Sequence, residues 1–254
     1  MDNQQYRELM YHFKYLESML EVIADKVDST KNGGGRQCPI CGKSFHVYLP
    51  FGESIRKNAQ CPNCNSLERH RALWILMQKI SWYKPNMRVL HFAPEPIFYK
   101  LFSSFKDIEY WSVDLNPKAF GVKKVVDITN ITFEDNYFDL IMCTHVLEHI
   151  PDDKKAMQEL YRVLKSQTGI AFLNVPIFNM PKTFEHPDIN TPELRSKYYG
   201  QFDHVRAYGL DYANRLETVG FNVKTHTINF NDERDFKKFG IDPNEKIYLC
   251  RKLD

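Results

Sequence analysis

The sequence predicts an α/β protein whose sheet is mostly parallel and covered by helices on both faces. Three observations carry this. From Arg88 onward, short apolar runs alternate with amphipathic stretches of helical spacing. The apolar runs are continuous rather than alternating, as in strands buried on both sides. The 254 residues are 43% hydrophobic and 14% aromatic, which suits one full-sized core plus a small appendage.

Taken in order, "RVLHFA" (88–93) is a strand, "IFYKLFSSF" (97–105) a helix, and "EYWSVDL" (109–115), "KKVVDI" (123–128) and "FDLIMCTHV" (138–146) are strands. A helix follows over 152–165 and a strand over 169–176, then a long loop over 176–209, a helix over 210–220 and strands over 221–228 and 246–252. In such a sheet a ligand lies beyond the carboxyl ends of the strands, at the switch point beside the first one. The candidate binding residues are therefore strand-end residues: Ala93 and Glu95 in the first turn, Asp114 and Leu115, Asp127 and Ile128, Thr144 and His145. An acid closing the second strand is placed to accept hydrogen bonds from both hydroxyls of a ribose. Asp114 has that place, and Asp127 is set to accept from an exocyclic amine while Ile128 packs on the base. Either acid alone would also serve as an ordinary turn or cap residue.

Upstream of the α/β region, "CPICGKSF" and "CPNCNSLE" are two C-x2-C knuckles 19 residues apart. Cys38, Cys41, Cys61 and Cys64 at this spacing can close a tetrahedron around one zinc ion, and a set filled entirely by protein makes the metal structural. Redox pairs or disulfides are the alternative, disfavoured in a reducing compartment. Cys143 and Cys250 lie in apolar runs and are expected in the core. Residues 3–30 form one helix in which Tyr6, Leu9, Phe13, Leu16, Leu20, Ile23 and Val27 alternate spacings of three and four. This seam needs a partner, either a second copy of the chain or the protein's own body. "STKNGGGRQ" then supplies a flexible joint. Asn65 and Glu68 stand in capping-box register ahead of a helix whose apolar face is Leu67, His70, Leu73, Trp74, Met77 and Ile80, expected to dock the ribbon onto the main domain. The chain thus divides into an N-terminal amphipathic helix and glycine linker (1–34), a zinc ribbon with its docking helix (35–82) and an α/β domain (83–254).

The net charge of +2 does not make the dense basic footprint of a nucleic-acid binder. The N-terminus is polar and charged, and no apolar stretch reaches the length of a membrane span, so a cytoplasmic protein is expected.

"YWSVDLNP", "VVDITN", "FDLIMCTHVLEHIPDDKKAMQELYRVLK" and "GIAFLNVP" resemble class I S-adenosylmethionine-dependent methyltransferases, in a subfamily with an N-terminal four-cysteine zinc ribbon followed by an "SLERHR" segment. The likeness covers about residues 38–252 and is most specific from Phe138 to Leu164. It implies a Rossmann-like seven-stranded sheet with helices on both faces, an S-adenosyl-L-methionine cofactor, and one structural Zn2+. It also implies an acid and glycines at the end of the first strand, where this chain has His91 and "FAPEP". S-adenosylmethionine carries no phosphate, so the turn need not cradle one; Ala93 is the smallest substitute for glycine, and Glu95 is placed to pair with the cofactor's ammonium. A solvent-exposed turn residue is the alternative for Glu95.

Methyl transfer to a hydroxyl or amine needs a proton acceptor. His204, in the long polar loop beside Asp203 and Arg206, is the first candidate base and His145 the second. The resemblance gives Glu148 and His149 the task of organising their loop. Arg69, His70, Arg71, Lys182, Arg195 and Arg206 would line an anionic substrate pocket, unless "ERHR" instead contacts the ribbon. The expected activity is O-methylation of a sugar or glycan-type small-molecule acceptor in surface-polysaccharide biosynthesis. A zinc-ribbon RNA methyltransferase and a non-catalytic scaffold with a degenerate cofactor site are the alternatives.

Overall fold

The computed structural model describes residues 3–28, 35–52 and 55–253, and it divides into two compact units. The first comprises residues 1–82 and 227–245, the second residues 83–226 and 246–254. Residues 227–245, expected in the α/β domain, thus belong to the first unit.

In the first unit, α1 (Asn3–Asp28) lies against a short hairpin. Its contact face is not the heptad seam. Ser18 is buried and Tyr15 and Met19 partly so, whereas Leu9, Phe13, Leu16 and Leu20 are exposed, Leu20 at 64%. The side chains of Tyr6, Ile23 and Val27 and the glycine joint lie outside the described residues. Two antiparallel hairpins follow. β1 (Arg36–Gln37) pairs with β2 (Ser44–Phe45), and β3 (Leu49–Phe51) with β4 (Arg56–Gln60). The first knuckle sits between β1 and β2, the second after β4.

The helix α2 (Glu68–Lys79) starts without the expected asparagine cap. Asn65 takes a left-handed φ of 58° at the end of the second knuckle, and His70 Nδ1 accepts from the Leu67 amide instead. Arg71 on this helix is fully buried. Its guanidinium stacks 4.3 Å above the Tyr48 ring and donates to the carbonyls of Ser66, Ala59, Phe239 and Gly240 at 2.5–2.9 Å. A planar fork of five donors suits this cage of carbonyls, as a lysine would not. Gly240 permits the approach: its φ is 60°, and a Cβ there would lie 2.5 Å from the Tyr48 ring. Arg71 is therefore a buried clamp on residues 239–240 and does not line an anionic pocket.

The second unit is a seven-stranded sheet in the order β10-β11-β9-β8-β5-β6-β7. Its strands are β5 (Arg88–Phe92), β6 (Glu109–Asp114), β7 (Lys124–Val125), β8 (Leu140–Thr144), β9 (Ile170–Asn174), β10 (Asn222–His226) and β11 (Ile247–Arg251). The pairs from β7 through β9 are parallel, and β11 runs antiparallel between β9 and β10. The chain leaves β5 on one side to form β6 and β7, then crosses back to lay β8 on the other side. The carboxyl end of β5 is thus a switch point. Cys143 and Cys250 are buried in the core with Phe92, Val113, Ile141 and Leu173, as expected. α3 (Pro96–Ser104) follows the first turn, with Pro96 where a missing N–H costs nothing. α4 (Asp153–Val163) is capped by Asp152, which accepts from Lys155 N at 2.9 Å.

Residues 176–209 are not all loop. They contain α5 (Pro192–Tyr199), opened by the Thr191 cap and Pro192 and closed by Gly200 in the left-handed conformation. Strand-like bridges Ile177↔Tyr208 and Phe184↔Ala207 bring the two ends of this segment together. α6 (Tyr212–Glu217) follows. Among the described residues no helix is long and apolar enough to cross a membrane.

Candidate functional site

A cavity of about 390 Å3 opens at the carboxyl ends of β5, β6 and β8. Of the eight strand-end residues expected to bind a cofactor, Ala93, Asp114, Leu115, Asp127, Ile128 and His145 line it. Glu95 and Thr144 do not. They meet each other, Thr144 Oγ1 donating to Glu95 Oε2 at 2.8 Å. Phe92, Val126, Val146, His149, Ile150 and Asp203 complete the walls.

The first turn keeps the backbone shape of a glycine turn without its glycines. Ala93 has φ 45°, a left-handed conformation costing an L-residue about 1–2 kcal/mol. Its amide is tied to the Val113 carbonyl of β6 at 2.9 Å, which fixes the strained residue at the cavity wall. His91, in the place of an acidic residue, is fully buried among Phe102 and Tyr110, its Nδ1 3.0 Å from the Tyr110 hydroxyl. It takes no part in the cavity.

Asp114 and Asp127 stand at neighbouring strand ends, where β6 and β7 pair Asp114 with Val125. Each does two things at once. One oxygen closes a local turn, Asp114 Oδ1 accepting from Asn116 N at 2.7 Å and Asp127 Oδ1 from Thr129 N at 2.8 Å. The other oxygen of each has no hydrogen bond among the described residues. The turn bonds hold each carboxylate in one orientation, so both of the roles weighed for these acids are compatible.

His145 also has a left-handed φ, 55°, and its amide is held by the Asn174 carbonyl of β9 at 2.8 Å. Its half-buried ring lies in the cavity wall with Nδ1 3.4 Å from Glu148 Oε1. His204 does not line the cavity. It is buried, and its Nδ1 sits 3.0 Å from the Tyr199 carbonyl at the end of α5, so the other ring nitrogen carries the lone pair. Glu148 and His149 form a separate single 3-10 turn over Leu147–His149 rather than the start of α4. Arg206 holds that turn: buried, it donates to the carbonyls of Leu147, Ile150 and Pro151 and pairs with Glu185 at 2.8 Å. It is a structural arginine and not an anion receptor.

The four ribbon cysteines converge. Cys38 and Cys64 sulfurs are 3.6 Å apart, Cys41 and Cys61 3.8 Å, and all four ligand atoms lie within 4.8 Å of one another. A tetrahedron of thiolates at the usual zinc–sulfur length has an edge of about 3.8 Å, so the set fits one Zn2+. The Cys38 thiol is pushed down to about 4, chiefly by its hydrogen bond with Cys64, while Cys64 is pushed up by the same contact.

Residues 99–172 match the family model described as a methyltransferase domain. An uncharacterised protein of Methanocaldococcus jannaschii is 34% identical over 102 residues, which cover 35% of this chain and 44% of that protein, less than half of its length. Among solved structures, the (4+2)-cyclase SpnF aligns over 71% of this chain and 80% of its own at 14% identity, with a TM-score of 0.51. Phosphoethanolamine N-methyltransferase 2 of Haemonchus contortus, in complex with S-adenosyl-L-methionine, aligns over 72% and 52% at 16% identity, with a TM-score of 0.49. Residues 99–172 of the chain are thus similar to a methyltransferase domain, and the sheet shares the fold of the first of these two structures.

The cysteine geometry has a direct check. The purified chain should contain one equivalent of zinc, and Cys61→Ser should lose it and destabilise the first unit; metal analysis finding none, with four freely reactive ribbon thiols, would refute the assignment.

Proposed function

We propose that the chain is an S-adenosylmethionine-dependent methyltransferase acting on a small-molecule hydroxyl acceptor of sugar or glycan type. The observation that carries this is the pair Asp114 and Asp127, each with one uncommitted carboxylate oxygen, beside the apolar side chains of Ile128 and Val146 in one cavity. That set of acceptors and apolar side chains suits an adenosine: Asp114 accepts from the ribose hydroxyls, Asp127 from the exocyclic amine, and Leu115 and Ile128 cover the faces of the base. The cofactor, when bound, supplies an electrophilic methyl group on a sulfonium. Ala93 brings the backbone of the first turn close to it, and the Thr144–Glu95 hydrogen bond stiffens the turn from behind. His145, in the cavity wall with Glu148 beside its Nδ1, accepts the acceptor's proton, while His204 supports this wall from within.

The ribbon's Zn2+ is structural, and a tetrathiolate site fits a reducing cytoplasm. The exposed seam of α1 pairs with a second copy of the chain, because Leu9, Phe13, Leu16 and Leu20 keep a heptad spacing and are not covered by the chain's own described residues. Light scattering should then give twice the chain mass, falling to the single mass in Leu16→Glu; an unchanged mass between the two removes the dimer.

Calorimetry with S-adenosylmethionine tests the cofactor. Asp114→Ala should weaken binding by about 1.5–3 kcal/mol through loss of charge-assisted hydrogen bonds. No heat with the wild-type chain would leave a scaffold without a cofactor. Filter binding of RNA under a salt titration tests the acceptor: a small-molecule enzyme gives weak binding, and a tight complex with a steep salt slope would move the reading to an RNA methyltransferase.

A further inference from the structure

We propose that Glu148, His149 and His204 form a divalent-cation site beside the cavity, distinct from the four ribbon cysteines. One donor atom from each of the three lies within 4.8 Å of the others. Glu148 is 1% exposed, and neither of its carboxylate oxygens has a hydrogen-bond partner among the described residues; His145 Nδ1 lies 3.4 Å from Oε1. A buried carboxylate left in this state costs several kcal/mol unless something positive meets it.

Both imidazoles are prepared to meet the same ion. His204 Nδ1 is 3.0 Å from the Tyr199 carbonyl, and His149 Nδ1 is 3.3 Å from Asp203 Oδ2. The Tyr199 carbonyl fixes the His204 proton on Nδ1 and leaves its Nε2 with the lone pair, the arrangement that orients metal-ligating histidines, and the Asp203 carboxylate stands at ion-pair distance from His149. The rings stand edge to face at 4.8 Å, and the backbone amide of Val205 donates to the Glu148 carbonyl at 2.8 Å, so the loop carrying His204 is pinned to the turn carrying the other two. Two imidazoles and a carboxylate suit a first-row divalent transition ion such as Mn2+, Fe2+, Co2+ or Zn2+, and three protein ligands leave coordination positions open.

His149 is both a member of this set and a lining residue of the cavity, so the site adjoins the space proposed for the cofactor, and an acceptor entering beside the cofactor can take an open position. This part rests on the methyltransferase reading. A hydroxyl bound there becomes more acidic. Its O–H bond breaks with the proton passing to His145, the oxygen bonds to the methyl carbon, and the carbon–sulfur electron pair stays on sulfur.

Mn2+ is the probe, because a tetrathiolate site loaded with zinc has little preference for it. Titration of the full chain, followed by the loss of the free-Mn2+ electron paramagnetic resonance signal, should show one equivalent bound without any methyl donor present. Glu148→Gln and His204→Ala should each weaken it about tenfold or more, and Asp203→Asn, which touches no ligand atom directly, by a smaller factor. Circular dichroism of each variant verifies that it is folded. Absence of binding by the wild-type chain, or wild-type affinity in both Glu148→Gln and His204→Ala, overturns the proposal. Since no cofactor or acceptor enters the titration, its failure is separable from failure of methyl transfer.

Discussion

Parallel strands buried on both faces leave only their ends in contact with water, and this constraint decides where the chain can do chemistry. β5, β6 and β8 present their carboxyl ends at one place because the chain reverses its direction of sheet growth there. Polar groups needed for binding have little room in the middle of these strands; β8 is buried at every position. They sit at the last residue of a strand, as Asp114 does, or at the first residues beyond one, as Ala93 and His145 do. Two of those residues, Ala93 and His145, turn the chain with left-handed backbone conformations, and both amides are tied to a neighbouring strand. The wall of the cavity is thus built from strained turns that the sheet itself holds in place.

Much of this was legible in the sequence, for a physical reason. Continuous apolar runs announce buried strands, and the acids that close them, Asp114 and Asp127, stand out because a carboxylate after an apolar run marks the point where the strand meets water. The cysteine knuckles were equally plain, since metal geometry constrains spacing tightly. By contrast, the exposed position of the α1 seam could not be read from periodicity, which reports that one face differs from the other and not what covers it. Arg206 misled for the opposite reason: a charged side chain suggests solvent or an anion, yet it is sunk among carbonyls distant in sequence, whereas Arg71 follows the alternative reading of its segment and contacts the ribbon residues Ala59 and Ser66.

The segment between β9 and α6 shows a signal that was present and passed over. Thr191, Pro192 and Gly200 are a cap, a first-turn proline and a terminating glycine, yet the eight residues of α5 have little amphipathic pattern to draw attention to them. Its last residue, Tyr199, supplies the carbonyl that orients His204. The convergence of His204 on Glu148 and His149 depends on this folded segment and on the pinned Val205 amide, so no local spacing encodes it. Long-range chemistry of this kind becomes visible only once the loop has a shape.

The guanidinium of Arg71 reaches Phe239 and Gly240, which follow it by more than 160 positions. On the ribosome, the cysteine hairpins therefore emerge long before the carbonyls that complete their surroundings. The small unit can bring its four cysteines together early but can finish its interior only after residues 239–240 have emerged. Assembly of this unit is in this sense timed by residues 227–245, a segment inserted between β10 and β11.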